Sequence, residues 1–259
     1  MKNLIARLLR GAEPNPSPCV TFDAPRVPEQ SFGVIGDIHG RADLLEQMVG
    51  LLADLPPDIP VVFVGDYIDR GDDSRAVLEM LSEPDRFFSR DIICLMGNHE
   101  AMCLSFLDDP AANGRFWIRN GGLQTMASFG VGGIGPGSGA DEFAKARDAL
   151  ALAMGDRLIK WMRALPLIWS SGNVSVVHAA ADPDLAMEEQ PSNVLQWGHP
   201  EFARRNRSDG RWVVHGHTIV EQPMVENGRI SVDTGAYATG RLTAAILREG
   251  DLEFRQTGT

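Results

Sequence analysis

The sequence predicts an α/β layered fold, on three observations. Short apolar runs of strand character recur along the chain, helical periodicity fills the gaps between the early ones, and each run closes on a cluster of Gly, Asp, Asn or His. In the first ten residues, the spacing of Leu4, Ile5 and Leu8 suits a short amphipathic helix, and the basic residues inside that stretch read poorly as a secretion signal. Pro14, Pro16, Pro18, Pro25 and Pro28 remove backbone donors too often for regular structure, so 11–30 is expected to wrap the surface as a linker. Strands are expected at 32–35, 59–64, 92–95, 174–177, 212–214 and 230–232; lacking two-residue alternation, they should be buried on both faces. Over 41–55, Leu44, Leu45, Met48, Leu51, Leu52 and Leu55 fall on one helical face, and 73–81 and 100–107 repeat the pattern. Residues 108–166 interrupt this rhythm. They carry the text Phe116-Trp117-Ile118-Arg119-Asn120-Gly121-Gly122, six glycines from Gly130 to Gly139, and a helix from Asp141 to about Leu165. The glycine run is expected to be mobile, and the insertion to be either a helical cap over the crevice or a plain surface connection. The organisation is thus an N-terminal helix and linker (1–30), then one domain (31–259) with an insertion at about 108–166.

Composition narrows the function. With 259 residues, 44% hydrophobic and 23% charged, the chain has enough apolar surface for a large core. Its net charge of -11 argues against a nucleic-acid binder, which needs a basic face. No apolar run approaches the ~18 residues of a bilayer span. Three cysteines, Cys19, Cys94 and Cys103, without disulfide or zinc spacing fit a reducing compartment, with the cytoplasm as the expected location.

Five of the six histidines lie in the clusters that end the strands: Gly36-Asp37-Ile38-His39-Gly40, Gly65-Asp66-Tyr67-Ile68-Asp69-Arg70-Gly71, Gly97-Asn98-His99-Glu100, His178, and His215-Gly216-His217. The carboxyl ends of neighbouring strands in α/β sheets open on one crevice, so these groups should converge there. Asp, His and Asn without thiolate suit manganese, iron or zinc better than calcium, and a bridging carboxylate would let two ions sit ~4 Å apart, as in phosphoryl transfer. Other phosphate chemistries lack their motifs. There is no Gly-x-x-x-x-Gly-Lys loop among the three lysines, and Cys94 is followed six residues later by Glu100 where a thiol phosphatase needs arginine, so its thiol is expected to be inert core.

Gly36 to Gly40, Gly65 to Gly71 and Gly97 to Glu100, in that order, resemble the three signature blocks of the calcineurin-like metallophosphoesterases, most closely the small bacterial members of the phosphoprotein phosphatase branch. The resemblance extends from about Ser31 to Leu247. It implies a four-layer sandwich of two central mixed sheets flanked by helices, with a helical cap insertion. By the same resemblance Asp37 and His39 would bind a first metal, Asp66 would bridge, and Asn98, His178 and His217 would complete a second site. The expected cofactors are two divalent ions, manganese first and iron or zinc as alternatives. A metal-bridging hydroxide would attack phosphorus directly, His99 would protonate the leaving oxygen, Asp69 would orient His99, and Arg70 with Asn98 would hold the phosphate.

Two departures stand out. Ala180 replaces the glycine usual after His178-Ala179, and Trp197-Gly198-His199 lacks the arginine that usually follows the tryptophan. His199, Arg204, Arg205 and Arg207 are the residues available to replace it. His215 is expected to support the ligand set, as is Asp233. The leading expectation is a phosphatase acting on phosphomonoesters, foremost phosphoserine and phosphothreonine in proteins. The alternatives are cleavage of dinucleoside polyphosphates or inorganic polyphosphate, and a catalytically dead binder of phosphorylated partners.

Overall fold

The structure is a computed structural model, and it describes residues 21–258; the expected N-terminal helix lies outside them. Its first sheet is built on β1 (Phe32–Ile35), β2 (Val61–Phe63) and β3 (Ile92–Cys94), which run parallel. β9 (Thr243–Arg248) and β10 (Asp251–Gln256) extend it antiparallel in the order β10-β9-β1-β2-β3. The second sheet contains β4 (Ile168–Ser171), β5 (Val174–Val177), β6 (Trp212–His215), β7 (Met224–Glu226) and β8 (Arg229–Ser231) in the order β4-β5-β6-β8-β7, parallel at its centre and antiparallel at both edges.

Strand parity assigns the layers. Phe32, Val34, Val62 and Val64 face Val174, Val176, Val214 and Ile230, forming the core between the sheets. The alternate residues Ile35, Val61 and Phe63 face outward into a helical layer. That layer holds α1 (Ala42–Leu51), α2 (Ser74–Ser82) and α3 (Asn98–Asp108), near their expected positions. Val177 and Val213 of the second sheet face Leu195 of α7 (Ser192–Trp197), with Met187 and Phe202. Two mixed sheets between flanking layers are the expected sandwich.

The insertion forms α4 (Pro110–Trp117), a wide turn at Ile118–Gly122, α5 (Leu123–Ser128) and α6 (Ala140–Arg163). Trp117, Met126, Phe143, Leu150 and Met162 are buried in the helical layer of the first sheet, so the block packs beside α2 and α3. α6 is not continuous: Gly155, at φ 72°, breaks it into two segments. Within the glycine-rich loop, Val131 and Ile134 pack against the same core. Residues 21–30 run along the second sheet, where the Asn173 side chain accepts from Val27 N and donates to Pro25 O, and Trp212 Nε1 donates to Ala24 O. Among the described residues no helix is long and apolar enough to cross a membrane.

Candidate metal centre

The crevice is built at the carboxyl ends of β1, β2, β3, β5 and β6, where strands stop and side chains turn inward. His39, Asp66, Asp69, Arg70 and His217 are all non-glycine residues at positive φ, between 48° and 71°. Such a conformation costs on the order of 1 kcal/mol or more for each, and it persists where the surroundings hold it. Asp66 lies at the middle. Its Oδ1 stands 3.4 Å from His178 Nε2, and its Oδ2 stands 3.5 Å from His39 Nε2 and 3.8 Å from His99 Nε2.

Two groups of potential ligands share this carboxylate: His39, Asp66 and His99, and Asp66, His178 and His217. Asn98 Oδ1 joins the second, 2.9 Å from His178 Nε2 and 3.0 Å from His217 Nδ1. The imidazoles are prepared for ligation. His39 Nδ1 contacts the Ile68 carbonyl at 2.8 Å and His178 Nδ1 the Val64 carbonyl at 3.1 Å. A carbonyl only accepts, so a neutral ring protonated on Nδ1 donates to it and leaves Nε2 free to ligate a cation beside Asp66. Burial lowers the His39 pKa to about 3 and that of His178 to about 4, keeping both neutral, as ligands must be.

The residues fit a pair of cations. Ligands bound ~2.1 Å from one ion at a tetrahedral angle lie ~3.4 Å apart, and the Asp66 contacts to His178 and His39 have that spacing. Charge points the same way. Asp37, Asp66, Asp69, Glu100 and Asp233 are all buried around the crevice. Burial, then the charges of Asp233 and Asp66, raises the Asp37 pKa; burial raises that of Asp233 to about 6. Burial also opposes ionisation of Asp66, but His178, His99 and His39 outweigh it and hold its pKa far below the usual value. Bound cations would offset the excess negative charge. Close backbone approach makes room for the carboxylates: a Cβ on Gly216 would fall 2.0 Å from Asp37 Oδ1, and one on Gly97 2.2 Å from Asp66 Oδ1.

Asp37 stands next to the ligand groups through the backbone of His217. It is outside both ligand groups, and its two carboxylate oxygens accept the His217 backbone N–H at 3.1 Å each. His99 instead stands in the first group, while its Nδ1 donates to Asp69 Oδ2 at 2.6 Å and Arg70 Nη2 donates to its Nε2 at 3.1 Å. Burial lowers the His99 pKa, but Asp66 and Asp69 more than offset this, and the net shift is upward. The Arg70 guanidinium also lies 4.9 Å above the Tyr237 ring, which packs nearly perpendicular to His39 with centroids 5.3 Å apart.

His199 and the arginines considered as replacements for the missing phosphate ligand are engaged elsewhere. His199 Nε2 lies 3.6 Å from Asp182, Arg204 pairs with Glu201, Arg205 makes a bidentate pair with Asp184, and Arg207 donates to the carbonyls of Asp182 and Leu185. His215 bonds Gly216 O and Ser231 Oγ, beneath the crevice. Cys94 is buried, and burial pushes its thiol pKa up, as befits inert core. Glu100, Tyr237, Trp117 and Thr125 were not singled out for the site by the sequence. Glu100 had a readable signal, as an acid three residues after Gly97 at a helix start; Trp117 and Thr125 reach the site only through the tertiary fold.

A sequence profile of calcineurin-like phosphoesterases matches residues 31–221. The chain belongs to the calcineurin-like phosphoesterase family. This phosphoesterase is 28% identical over 224 residues to "Serine/threonine-protein phosphatase 2" of Escherichia coli (strain K12), covering 81% of this chain and 89% of that protein. It is 26% identical over 250 residues to "Bis(5'-nucleosyl)-tetraphosphatase PrpE", asymmetrical, of Anoxybacillus flavithermus (strain DSM 21510 / WK1), covering 86% and 91%. Its fold resembles the crystal structure of a cold-active protein-tyrosine phosphatase of a psychrophilic Shewanella species, with a TM-score of 0.55, 16% identity, and coverage of 89% of this chain and 83% of that one. The family makes the protein a metal-dependent phosphoric ester hydrolase.

Proposed function

We propose that this phosphoesterase hydrolyses phosphomonoesters, foremost phosphoserine and phosphothreonine in proteins, at the crevice around Asp66. The single observation that carries the reading is the pair of ligand groups sharing one carboxylate, with His99 standing beside it. In this reading Asp37, His39, Asp66, Asn98, His178 and His217 hold two divalent ions, manganese in the first place and iron or zinc otherwise. When bound, such ions supply Lewis acidity and an activated water.

The chain's own residues do the rest. Arg70 rests against His99 Nε2; a guanidinium cannot accept, so in that arrangement Nε2 is unprotonated. An arriving phosphate draws Arg70 away into a bidentate contact with its oxygens, assisted by the Asn98 amide. With Arg70 withdrawn, His99 takes up a proton from solvent on Nε2 while Asp69 holds Nδ1–H, and that proton passes from Nε2 to the leaving oxygen. His215 and Asp233 support the ligand set from below. The catalytic domain is taken as 31–259 with the 108–166 insertion, acting in the cytoplasm.

A second reading, cleavage of dinucleoside polyphosphates, is favoured by the tetraphosphatase relative, which matches as much of the chain as the protein phosphatase does. The deciding experiment restores the metal-stripped protein with manganese and offers a phosphoserine peptide, a phosphothreonine peptide, diadenosine tetraphosphate and tripolyphosphate side by side. Preferential turnover of the peptides is expected. Preferential cleavage of either anhydride would overturn the peptide reading, and inactivity on all four with two metals bound would make the protein a phosphate-binding one.

A further inference from the structure

We infer that the insertion acts as a clamp on the Asp69–Arg70 pair, and that Trp117 and Thr125 are positioning residues for proton donation by His99. The inference rests on the roles of Asp69 and His99 just proposed. Asp69 and Arg70 are consecutive non-glycine residues at φ 71° and 70°, a strained conformation that needs external support. Among the described residues, apart from the His99 contacts and the Tyr237 ring, the hydrogen bonds to Asp69 and Arg70 from outside the Gly65 to Ser74 loop come from the insertion. Trp117 Nε1 donates to Asp69 Oδ2 at 2.9 Å. Thr125 Oγ1 donates to Asp69 Oδ1 at 2.5 Å and accepts the Asp69 backbone N–H at 2.9 Å, gripping main chain and side chain at once. The Gly121 carbonyl accepts the Arg70 N–H at 3.3 Å.

These bonds fill a defined need. Asp69 is fully buried, and a carboxylate so placed must have its lone pairs occupied or it turns away from its working partner. Trp117 and Thr125 occupy the positions around the His99 contact and leave one orientation, in which Oδ2 faces Nδ1 at 2.6 Å. The indole is itself fully buried and tilted against Phe106 of α3, the helix that carries His99, with ring centroids 4.9 Å apart. The ring of contacts thus closes from His99 through Asp69 and Trp117 back to the same helix.

The test is a double-mutant cycle on the metal-loaded enzyme. Thr125→Val removes the hydroxyl at constant shape, Thr125→Ser keeps it, and Trp117→Phe removes the indole donor. Each is made in the wild-type and in the Asp69→Asn background, with metal content and unfolding temperature recorded beside kcat and KM for 4-nitrophenyl phosphate and the preferred substrate of the panel above. On the preferred substrate Thr125→Val and Trp117→Phe should each lower kcat about 10- to 100-fold with KM and metal content little changed, with a smaller loss on 4-nitrophenyl phosphate, whose leaving group needs no proton; Thr125→Ser should recover most of the loss, and the losses should vanish in Asp69→Asn. Wild-type kcat in both variants, or the same loss in the Asp69→Asn background, overturns the clamp. An Asp69→Asn enzyme as active as wild type overturns instead the role of Asp69 on which it rests. Should Thr125→Val not fold, the cycle of Trp117→Phe with Asp69→Asn decides alone.

Discussion

Glu100 Oε2 accepts the backbone N–H of Asp66 at 2.8 Å, and so holds the turn that presents the shared carboxylate. The same side chain accepts from Tyr67 N at 2.8 Å and from Gly97 N at 3.0 Å, capping α3. Glu100 is therefore a brace between two signature turns, not a ligand. Burial, then the charge of Asp66, pushes its pKa up to about 8. A carboxyl whose folded pKa is raised binds more protons folded than unfolded, so its contribution to stability is lost as pH rises toward the folded value. His99, also raised, acts in the same direction. His39, His178 and His215 are lowered, which has the opposite sign, but their window closes at about 6.5. The metal-free protein should therefore lose stability from about pH 6.5 to 8. Glu100→Gln should flatten that slope while costing about 1–3 kcal/mol at pH 6, because one amide N–H faces the bound backbone donors. Urea unfolding of both proteins across this range measures both effects, and an unchanged slope would refute the assignment.

Asp66→Asn should release both metals together. The two ligand groups have only this residue in common, so removing its charge weakens each site at once. Elemental analysis after dialysis reads the outcome as ions per chain. Two ions retained would show that Asp66 is not the bridge, whereas loss of a single ion would place it in one site only.

What the sequence made legible is what short-range order determines. β1, β2, β5 and β6 could be read from largely apolar runs because both faces of each are covered. The ligand positions followed, because such strands end where their side chains must turn into the crevice. β10, Asp251 to Gln256, was missed; it is an edge strand of alternating charge, partly exposed along its length, and resembles a surface loop. β4 and β7 are edge strands likewise, and the small residues Ala244 and Ala245 hid β9. Within the site, the partners of Asp69 lie 48 and 56 positions away in an insertion with no strand rhythm, so no local spacing could connect them. The insertion's role beside the helices, not above the crevice alone, is likewise a consequence of packing by Trp117 and Phe143.

Gly216→Ala should weaken metal binding without unfolding the domain. The new methyl would meet Asp37 Oδ1 at 2.0 Å and the Val64 side chain at 2.7 Å, and the carboxylate is the easier of the two to displace. Asp37 would then lose its grip on the His217 N–H, and with it the placement of the His217 ring. Manganese affinity by titration calorimetry should fall at least about tenfold, as supporting interactions around metal ligands typically give. Unaltered affinity would mean that Asp37 has no part in holding either ion.

His99→Asn separates proton donation from metal binding. The ring belongs to one ligand group by distance, yet its Nδ1 is committed to Asp69 and its Nε2 faces Arg70. If donation to the leaving oxygen is its task, the variant should keep both ions and lose turnover by about 10²- to 10⁴-fold. The loss should be greatest for alkyl esters such as phosphoserine, whose leaving oxygen must be protonated, and smallest for 4-nitrophenyl phosphate, whose leaving group departs as a stable anion. Single-turnover rates on both substrates, with metal content measured on the same samples, give the comparison. Equal losses on the two esters would remove the acid role, and loss of an ion would make His99 a ligand, with Asp37 free to play a supporting part.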